Sequence, residues 1–525
     1  RALSLASVAA RRNYLFVGES IDPNDWEPNV TADQIYQRVI DGVHHEDGHI
    51  ILLHDAGGNS RKPTLNALPR IIETLQQEGY QFISLEQYLI MNRQTLMPAI
   101  NKGKAYYAMQ TNLWLAEMIY HVSDFLTALF LVFLLLGLMR LIFMYVLMIR
   151  EKRVENRRHY APIDAATAPA VAIIVPGYNE EVNVVRTITA LKQQDYPNLQ
   201  IYFVDDGSKD HTLERVRAAF DNDDMVTVLA KKNGGKASAL NYGVAACPAE
   251  YVVCIDADTQ LKNDAVSRLM RHFIADKEKR IGAVAGNVKV GNQRNMLTYW
   301  QAIEYTSSQN FDRMAYSNIN AITVVPGAIG AFRKKVIEEV GGFTTDTLAE
   351  DCDLTMSINE HGYIIENENY AVAMTEAPET LRQFVKQRIR WCFGVMQVFW
   401  KHRSSLFAPS KKGFGLWAMP NMLIFQYIIP TFSPLADVLM LLGLFSGNAL
   451  QIFFYYLIFL VIDASVSIMA YIFEGEQFWV LLWIIPQRFF YRWIMYYVLF
   501  KSYLKAIKGE LQTWGVLKRT GHVGE

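Results

Sequence analysis

The chain has almost no net charge and very little cysteine, and each scarcity excludes something. Across 525 residues 51 Lys and Arg offset 52 Asp and Glu, a formal charge of -1, so there is no global attraction for nucleic acid and any basic function is local. The four cysteines, Cys247, Cys254, Cys352 and Cys392, contain no C-x-x-C pair and read as reduced structural thiols, not as a disulfide framework or a zinc site. Internal repeats, low-complexity tracts and a signal-type segment are not evident, and a start at Arg1 without methionine fits the tail of a longer polypeptide.

Apolar residues are abundant. At 51% hydrophobic and with a slightly positive mean hydropathy, the chain is too apolar for a purely soluble protein of its size. Phe125–Ile149 carries one charge, Arg140, over a length that exceeds the roughly 30 Å of a bilayer core, which predicts a transmembrane helix. Arg150, Lys152, Arg153, Arg157 and Arg158 follow at once. The positive-inside bias then places the next domain in the cytoplasm and residues 1–124 outside a plasma membrane, an orientation that a solvated basic linker would share. Three further runs, Asn421–Phe445, Leu450–Phe473 and Phe478–Phe500, predict helices within 414–505. Three full crossings would leave the basic tail 506–525 outside, so one run should be re-entrant, interfacial or a hairpin, with Pro430 and Pro434 marking the first as the suspect for a break.

Residues 165–380 instead alternate short Val/Ile strands, such as Val171–Val175, Ile201–Val204 and Tyr251–Ile255, with helical patterns. This predicts an α/β domain with a mostly parallel sheet, embedded in an α-helical membrane domain.

Candidate chemistry gathers where the strands end, which is where open parallel sheets hold ligands. After the first strand come Tyr178 and Glu180, and after the second Asp205-Asp206-Gly207-Ser208. A carboxylate there can accept a base N–H and a tyrosine can stack on the base, although Asp-Gly-Ser is also ordinary turn chemistry. Lys231-Lys232-Asn233-Gly234-Gly235-Lys236 sets two glycines and a lysine before an Ala/Leu helix, which suits an anionic diphosphate or a plain basic turn. Asp256-Ala257-Asp258 closes a strand; in extended chain both carboxylates face one way and could share a hard cation, Mg2+ or Mn2+, acting as a Lewis acid on a leaving diphosphate.

Glu350-Asp351 follows further on, with Asp351 the candidate general base for an acceptor hydroxyl. Together with Asp353 these acids could instead merely favour a helix N-terminus. Gln387, Arg390 and Trp391 stand at i, i+3 and i+4 on one face of a predicted amphipathic helix, 381–407, lying on the membrane surface. Arginine for a diphosphate and an indole under a sugar fit that face, and so does a lipid anchor. Arg488 and Arg492 share a face of the last apolar run, either lining a polar path or snorkelling to headgroups.

In this order, Asp205-Asp206-Gly207, Asp256-x-Asp258, Glu350-Asp351 and Gln387-x-x-Arg390-Trp391 resemble the motif set of processive, inverting family-2 glycosyltransferases, such as chitin, hyaluronan, cellulose and poly-N-acetylglucosamine synthases, over about 170–525. The resemblance implies a GT-A-like nucleotide-sugar-binding domain, a UDP-sugar donor, a growing β-linked glycan as acceptor, and a bilayer channel for its export. Trp514 with Lys518-Arg519 is similar to the terminal motif of hyaluronan synthases, with a longer spacing, and implies an active-site tail.

Residues 1–100 resemble the last third of a polysaccharide deacetylase, through Asp22-Pro23-Asn24-Asp25-Trp26 and Leu52-Leu53-His54-Asp55, with His54 implied as the catalytic acid. The early motifs that supply that family's metal-binding Asp and His pair are absent, so this part is expected to be inert. The pairing favours UDP-N-acetylglucosamine over UDP-glucose. The alternatives are non-processive transfer to a polyprenyl phosphate, whose enzymes usually lack Gln-x-x-Arg-Trp, and a secretion channel or scaffold with a dead transferase, which intact Asp256, Asp258 and Asp351 oppose. Expected partners are donor, glycan and bilayer, with room for an accessory subunit or a second copy and none for nucleic acid.

Overall fold

The computed structural model describes residues 17–45, 50–55, 60–96, 102–443 and 449–508; Trp514, Lys518 and Arg519 lie outside them. The chain divides into two compact units, residues 1–125 and 126–525. In the first, α1 (Ala32–His45) and α2 (Lys62–Gln77) bury Ile35, Val39, Ile40 and Val43 against Ala67, Ile71 and Leu75. Those residues recur at helical spacing, so each helix has one apolar stripe and the two stripes meet.

The second unit is built on an eight-stranded sheet: β1 (Val171–Gly177), β2 (Leu199–Asp205), β3 (Val226–Ala230), β4 (Tyr251–Cys254), β5 (Gln260–Leu261), β6 (Ile281–Val290), β7 (Gly330–Arg333) and β8 (Ile364–Thr375). Its order is β3-β2-β1-β4-β7-β6-β8-β5. The first four strands are parallel, as the nearly continuous buried runs of β1, β2 and β4 predict, with β3 at the partly exposed edge. The other half departs from a mostly parallel sheet, because β7 runs antiparallel to both β4 and β6, and β5 antiparallel to β8. Strand order reverses between β1 and β4, so the loops after these two strands flank the crevice where α/β sheets bind ligands.

Three helices bring further candidates to that crevice: α4 (Lys236–Ala246), after a long apolar α3 (Lys104–Arg157); α6 (Glu350–Glu360), after α5 (Met296–Glu304); and α7 (Leu381–Lys401). The expected surface helix 381–407 ends at Lys401, and protein covers much of it, with Phe384, Gln387, Arg388, Ile389, Phe393 and Val398 buried. Gly394 explains how close it comes, since a Cβ there would lie 3.0 Å from the backbone of Leu348 and Ala349, the residues that lead into Glu350.

Two described helices are long and apolar enough to cross a membrane, Tyr120–Arg157 and Phe414–Leu441. Arg140 is satisfied by protein, donating to Asp312 at 2.9 Å and Asn421 at 2.8 Å. The break expected at Pro430 or Pro434 is not there: the helix continues from a π-helical turn, Met422–Ile428, into Ile429–Gly443. Widened turns re-satisfy the backbone groups that a proline frees. The last run also changes form, a 3-10 segment Phe478–Trp483 leading into α8 (Ile484–Lys508). Trp300 Nε1 donates to Trp483 O at 3.0 Å, which ties this joint to α5.

Candidate active site

The loops after β1 and β2 are stitched together. Asn179 N donates to Ser208 Oγ at 3.1 Å, Lys209 N to Asn179 Oδ1 at 2.8 Å, and Glu180 N to Thr212 Oγ1 at 2.8 Å. Tyr178 and Glu180, both half-buried, therefore stand on a fixed edge beside Asp205–Ser208. Asp205 accepts from Gly207 N and Ser208 N at 3.1 Å each, closing the turn.

Asp206 differs from its expected role. Its buried carboxylate turns into the glycine loop, accepting from Gly234 N at 3.0 Å, Gly235 N at 2.7 Å and Lys231 Nζ at 2.7 Å. The N–H groups expected to face a diphosphate are thus engaged by the protein's own anion, because a buried carboxylate takes up the donors within reach.

Lys236, the first residue of α4, meets the catalytic candidates instead. Its ammonium lies 2.6 Å from Asp256 Oδ1 and 3.2 Å from Glu350 Oε1. Burial alone would lower its pKa, but the charges of Asp256, Glu350 and Asp351 outweigh that and raise it. Gly327 makes the seat: a Cβ there would stand 2.6 Å from the lysine nitrogen. Gly327 N also donates to Asp351 Oδ2 at 3.2 Å, and Cys352 N to Oδ1 at 2.8 Å. Burial and the neighbouring Glu350 nevertheless push Asp351 up to about 6, against the pull of Lys236.

Asp256 and Asp258 do not lie in extended chain. Thr259 N donates to Asp256 O at 3.0 Å, so they occupy a turn just past β4, and the i, i+2 argument does not apply. Asp256 pairs with Lys236, whereas Asp258 is buried with its charge reaching Tyr305. Three carboxylates around one ammonium leave surplus negative charge, and hard oxygen donors fit Mg2+ or Mn2+ by charge and by type.

Among the described residues, the group of three acidic or histidine side chains with ligand atoms within 4.8 Å of one another is Asp22, Asp25 and His54, in the first unit. His54 Nδ1 lies 2.7 Å from Asp25 Oδ1, Thr64 Oγ1 donates to Asp25 Oδ2 at 2.9 Å, and Arg61 Nη1 stands 3.5 Å away. Asp25 is thereby occupied as the partner that orients an imidazole.

On α7, Gln387 Oε1 is buried and has no hydrogen-bond partner among the described residues. It is an acceptor that a sugar hydroxyl would satisfy. Arg390 is half-buried, and Trp391 packs toward Tyr305 with ring centroids 6.4 Å apart. Gly327 belongs to no motif in the sequence, and Arg388 fills an unassigned position inside the Gln387–Trp391 run, three residues before Trp391. Arg492 pairs with Asp437 at 3.1 Å, joining α8 to Ile429–Gly443, which favours a helix–helix ion pair over a lining for a sugar path.

Residues 169–423 match the family model described as glycosyltransferase like family 2. Over 260 residues, 49% of the chain, the sequence is 32% identical to a poly-beta-1,6-N-acetyl-D-glucosamine synthase of Staphylococcus epidermidis and covers 62% of it. The corresponding synthase of Staphylococcus aureus (strain COL) is 31% identical over 49% of the chain and 61% of its own length. The chain therefore spans less than two thirds of these curated relatives. A solved mannosyltransferase from Pyrobaculum calidifontis, in complex with GDP-Man and Mn2+, matches 66% of this chain and 95% of its own at 24% identity and a TM-score of 0.46, a likeness that adds nothing to the assignment.

Proposed function

We propose that the chain is a membrane-embedded, processive, inverting glycosyltransferase that polymerises UDP-N-acetylglucosamine into a β-linked polysaccharide and exports it, its transferase domain cytoplasmic and residues 1–100 outside. The observation that carries this reading is the under-neutralised cluster of Asp256, Glu350 and Asp351 around Lys236, at the crevice where strand order reverses.

The chemistry follows from the charges. Asp351, its carboxyl raised toward neutrality, takes the proton of an acceptor hydroxyl, and the freed oxygen pair forms a bond to the anomeric carbon as the bond to the diphosphate breaks. Attack from the face opposite the leaving group inverts an α-linked donor to a β-linked product. A divalent cation held by Asp256 and Asp258 would supply Lewis-acid charge for the departing diphosphate. Lys236 and Arg390 add positive charge to that side, Tyr178 and Glu180 face the base, and Gln387 and Trp391 receive the acceptor sugar. The named synthase relatives support N-acetylglucosamine as the donor sugar.

The test is to incubate detergent-purified protein with a panel of UDP-sugars and Mg2+ or Mn2+, then digest the product with linkage-specific hydrolases. UDP release with a polymer sensitive to a β-N-acetylglucosamine hydrolase is expected. No UDP release from any donor overturns the reading.

A further inference from the structure

Arg388 is 2% exposed, and aromatic rings surround it. The centre of its guanidinium lies 4.2 Å from the ring centroid of Trp391, 4.9 Å from Phe384 and 5.8 Å from Tyr305. One nitrogen, Nη2, donates to Glu304 Oε2 at 2.7 Å, and the Tyr491 hydroxyl donates to that same oxygen. Nε and Nη1 have no acceptor among the described residues.

Three elements therefore meet at one buried charge. Glu304 is the last residue of α5, just before a π-helical turn, Tyr305–Asn310, that carries Tyr305 toward Trp391. Arg388 and Trp391 stand at i and i+3 on α7, so the guanidinium and the indole are neighbours on one helix surface. Tyr491 comes from α8 and also packs edge-on against Trp300 of α5, ring centroids 5.8 Å apart.

A buried ion pair with two nitrogens left without acceptors is a poor way to gain stability, since apolar residues of similar volume would serve as well or better. Its planar, charged shape does set the position of a ring stacked on it, and a lysine cannot reproduce that fork. We propose that Arg388, with Glu304 and Tyr491, is a positioning device for Trp391: it fixes the tilt of the indole that receives the acceptor sugar and ties that tilt to α8. This rests on the reading of Trp391 as the acceptor platform.

Two measurements test it. The full chain is labelled with 5-fluorotryptophan, and Trp391→Phe assigns the Trp391 resonance. Arg388→Lys and Glu304→Gln are each expected to move or broaden that resonance, and Tyr491→Phe to move it less. In turnover with an N-acetylglucosamine oligomer as acceptor, Arg388→Lys should raise the acceptor KM by about tenfold while the Kd for UDP stays within about twofold. A Trp391 resonance unchanged in both Arg388→Lys and Glu304→Gln overturns the proposal, and so does a loss of affinity shared equally by UDP and acceptor. Should Arg388→Lys fail to fold, Glu304→Gln and Tyr491→Phe decide it. An unmodified protein that shows no turnover would sink the transferase reading alone, because the fluorine signal reports on the indole without turnover.

Discussion

Asp351 and Asp353 stand two residues apart in the first turn of α6, in opposite electrostatic settings. Asp351 shares its surroundings with Glu350 and Asp256, close to the ammonium of Lys236 and within reach of the buried Arg313 charge. Asp353 is fully buried yet held by His402 at 2.9 Å, by Lys401 at 2.9 Å and by Thr344, while Glu360 lies 2.9 Å from the other ring nitrogen of His402. Burial tends to raise both carboxyls. It prevails at Asp351, pushed up to about 6, whereas at Asp353 hydrogen bonds outweigh it and draw the group down to about 2. Position at a helix N-terminus therefore does not fix where a carboxyl titrates; the hydrogen bonds and charges around it do.

The sharpest break of this comparison is Asp351→Asn. Loss of a general base should slow elongation by about 10²–10⁴-fold with UDP affinity nearly unchanged. Equal loss of turnover and nucleotide binding would move Asp351 out of the base role. On the other side of the turn, His402→Ala leaves Asp353 buried with Lys401 and Thr344 as its remaining partners, and should cost about 3 kcal/mol in a denaturation curve, as breaking a buried pair does.

Acid separates the two sites further. Activity, as kcat/KM, should fall about tenfold per unit as pH drops below about 6, because the base must be unprotonated. Stability should not follow it down. Asp353, lowered to about 2, contributes fully above its unfolded value near about 4 and loses that contribution only as pH falls through about 2. His402 is raised to about 9, since Asp353 and Glu360 outweigh its burial, and contributes fully below its unfolded value near about 6.5 until pH rises through about 9. At pH 5 the protein should be folded and slow. Unfolding that tracks the loss of rate across pH 6 to 5 would contradict the division.

Asp258→Ala should take away the dependence of UDP binding on Mg2+ or Mn2+, a smaller effect than loss of the base. Metal-stimulated synthesis that survives in the variant would remove Asp258 from the cation.

Much of this architecture is readable in the chain, and the unread part has a common cause. β1, β2 and β4 announce themselves through local Val/Ile runs, and α3 through the apolar stretch Phe125–Ile149, which Arg140 alone interrupts. The order of the acidic motifs pointed to residues that the fold does bring together, Lys236, Asp256, Glu350 and Asp351. What was missed depends on distant neighbours. The four-residue β7 inserts antiparallel between β4 and β6, and its sequence says nothing of those partners. Asp206 could be assigned to a ligand only while the donors of Gly234 and Gly235 were out of view. Asp256 and Asp258 follow a strand and so read as extended, although ladder pairing stops at Cys254.

The smallest expected effect is none at all, in the first unit. Asp25 and His54 look like an acid–base pair, but the Asp25 oxygens already accept from His54 N at 3.1 Å and Thr64 at 2.9 Å besides the imidazole, and Arg61 stands beside them. Burial alone would raise Asp25, but these hydrogen bonds keep it below the ordinary carboxylate range. A cation shared with Asp22 would have to displace the imidazole contact or stand against the Arg61 charge. This pair therefore resembles the neutralised setting of Asp353 more than the deficit around Asp351, and the full chain should release no acetate from a chitin oligomer, with or without added divalent metal. Acetate release that Asp25→Asn or His54→Ala abolishes would reverse this assignment and make the first unit a second working site.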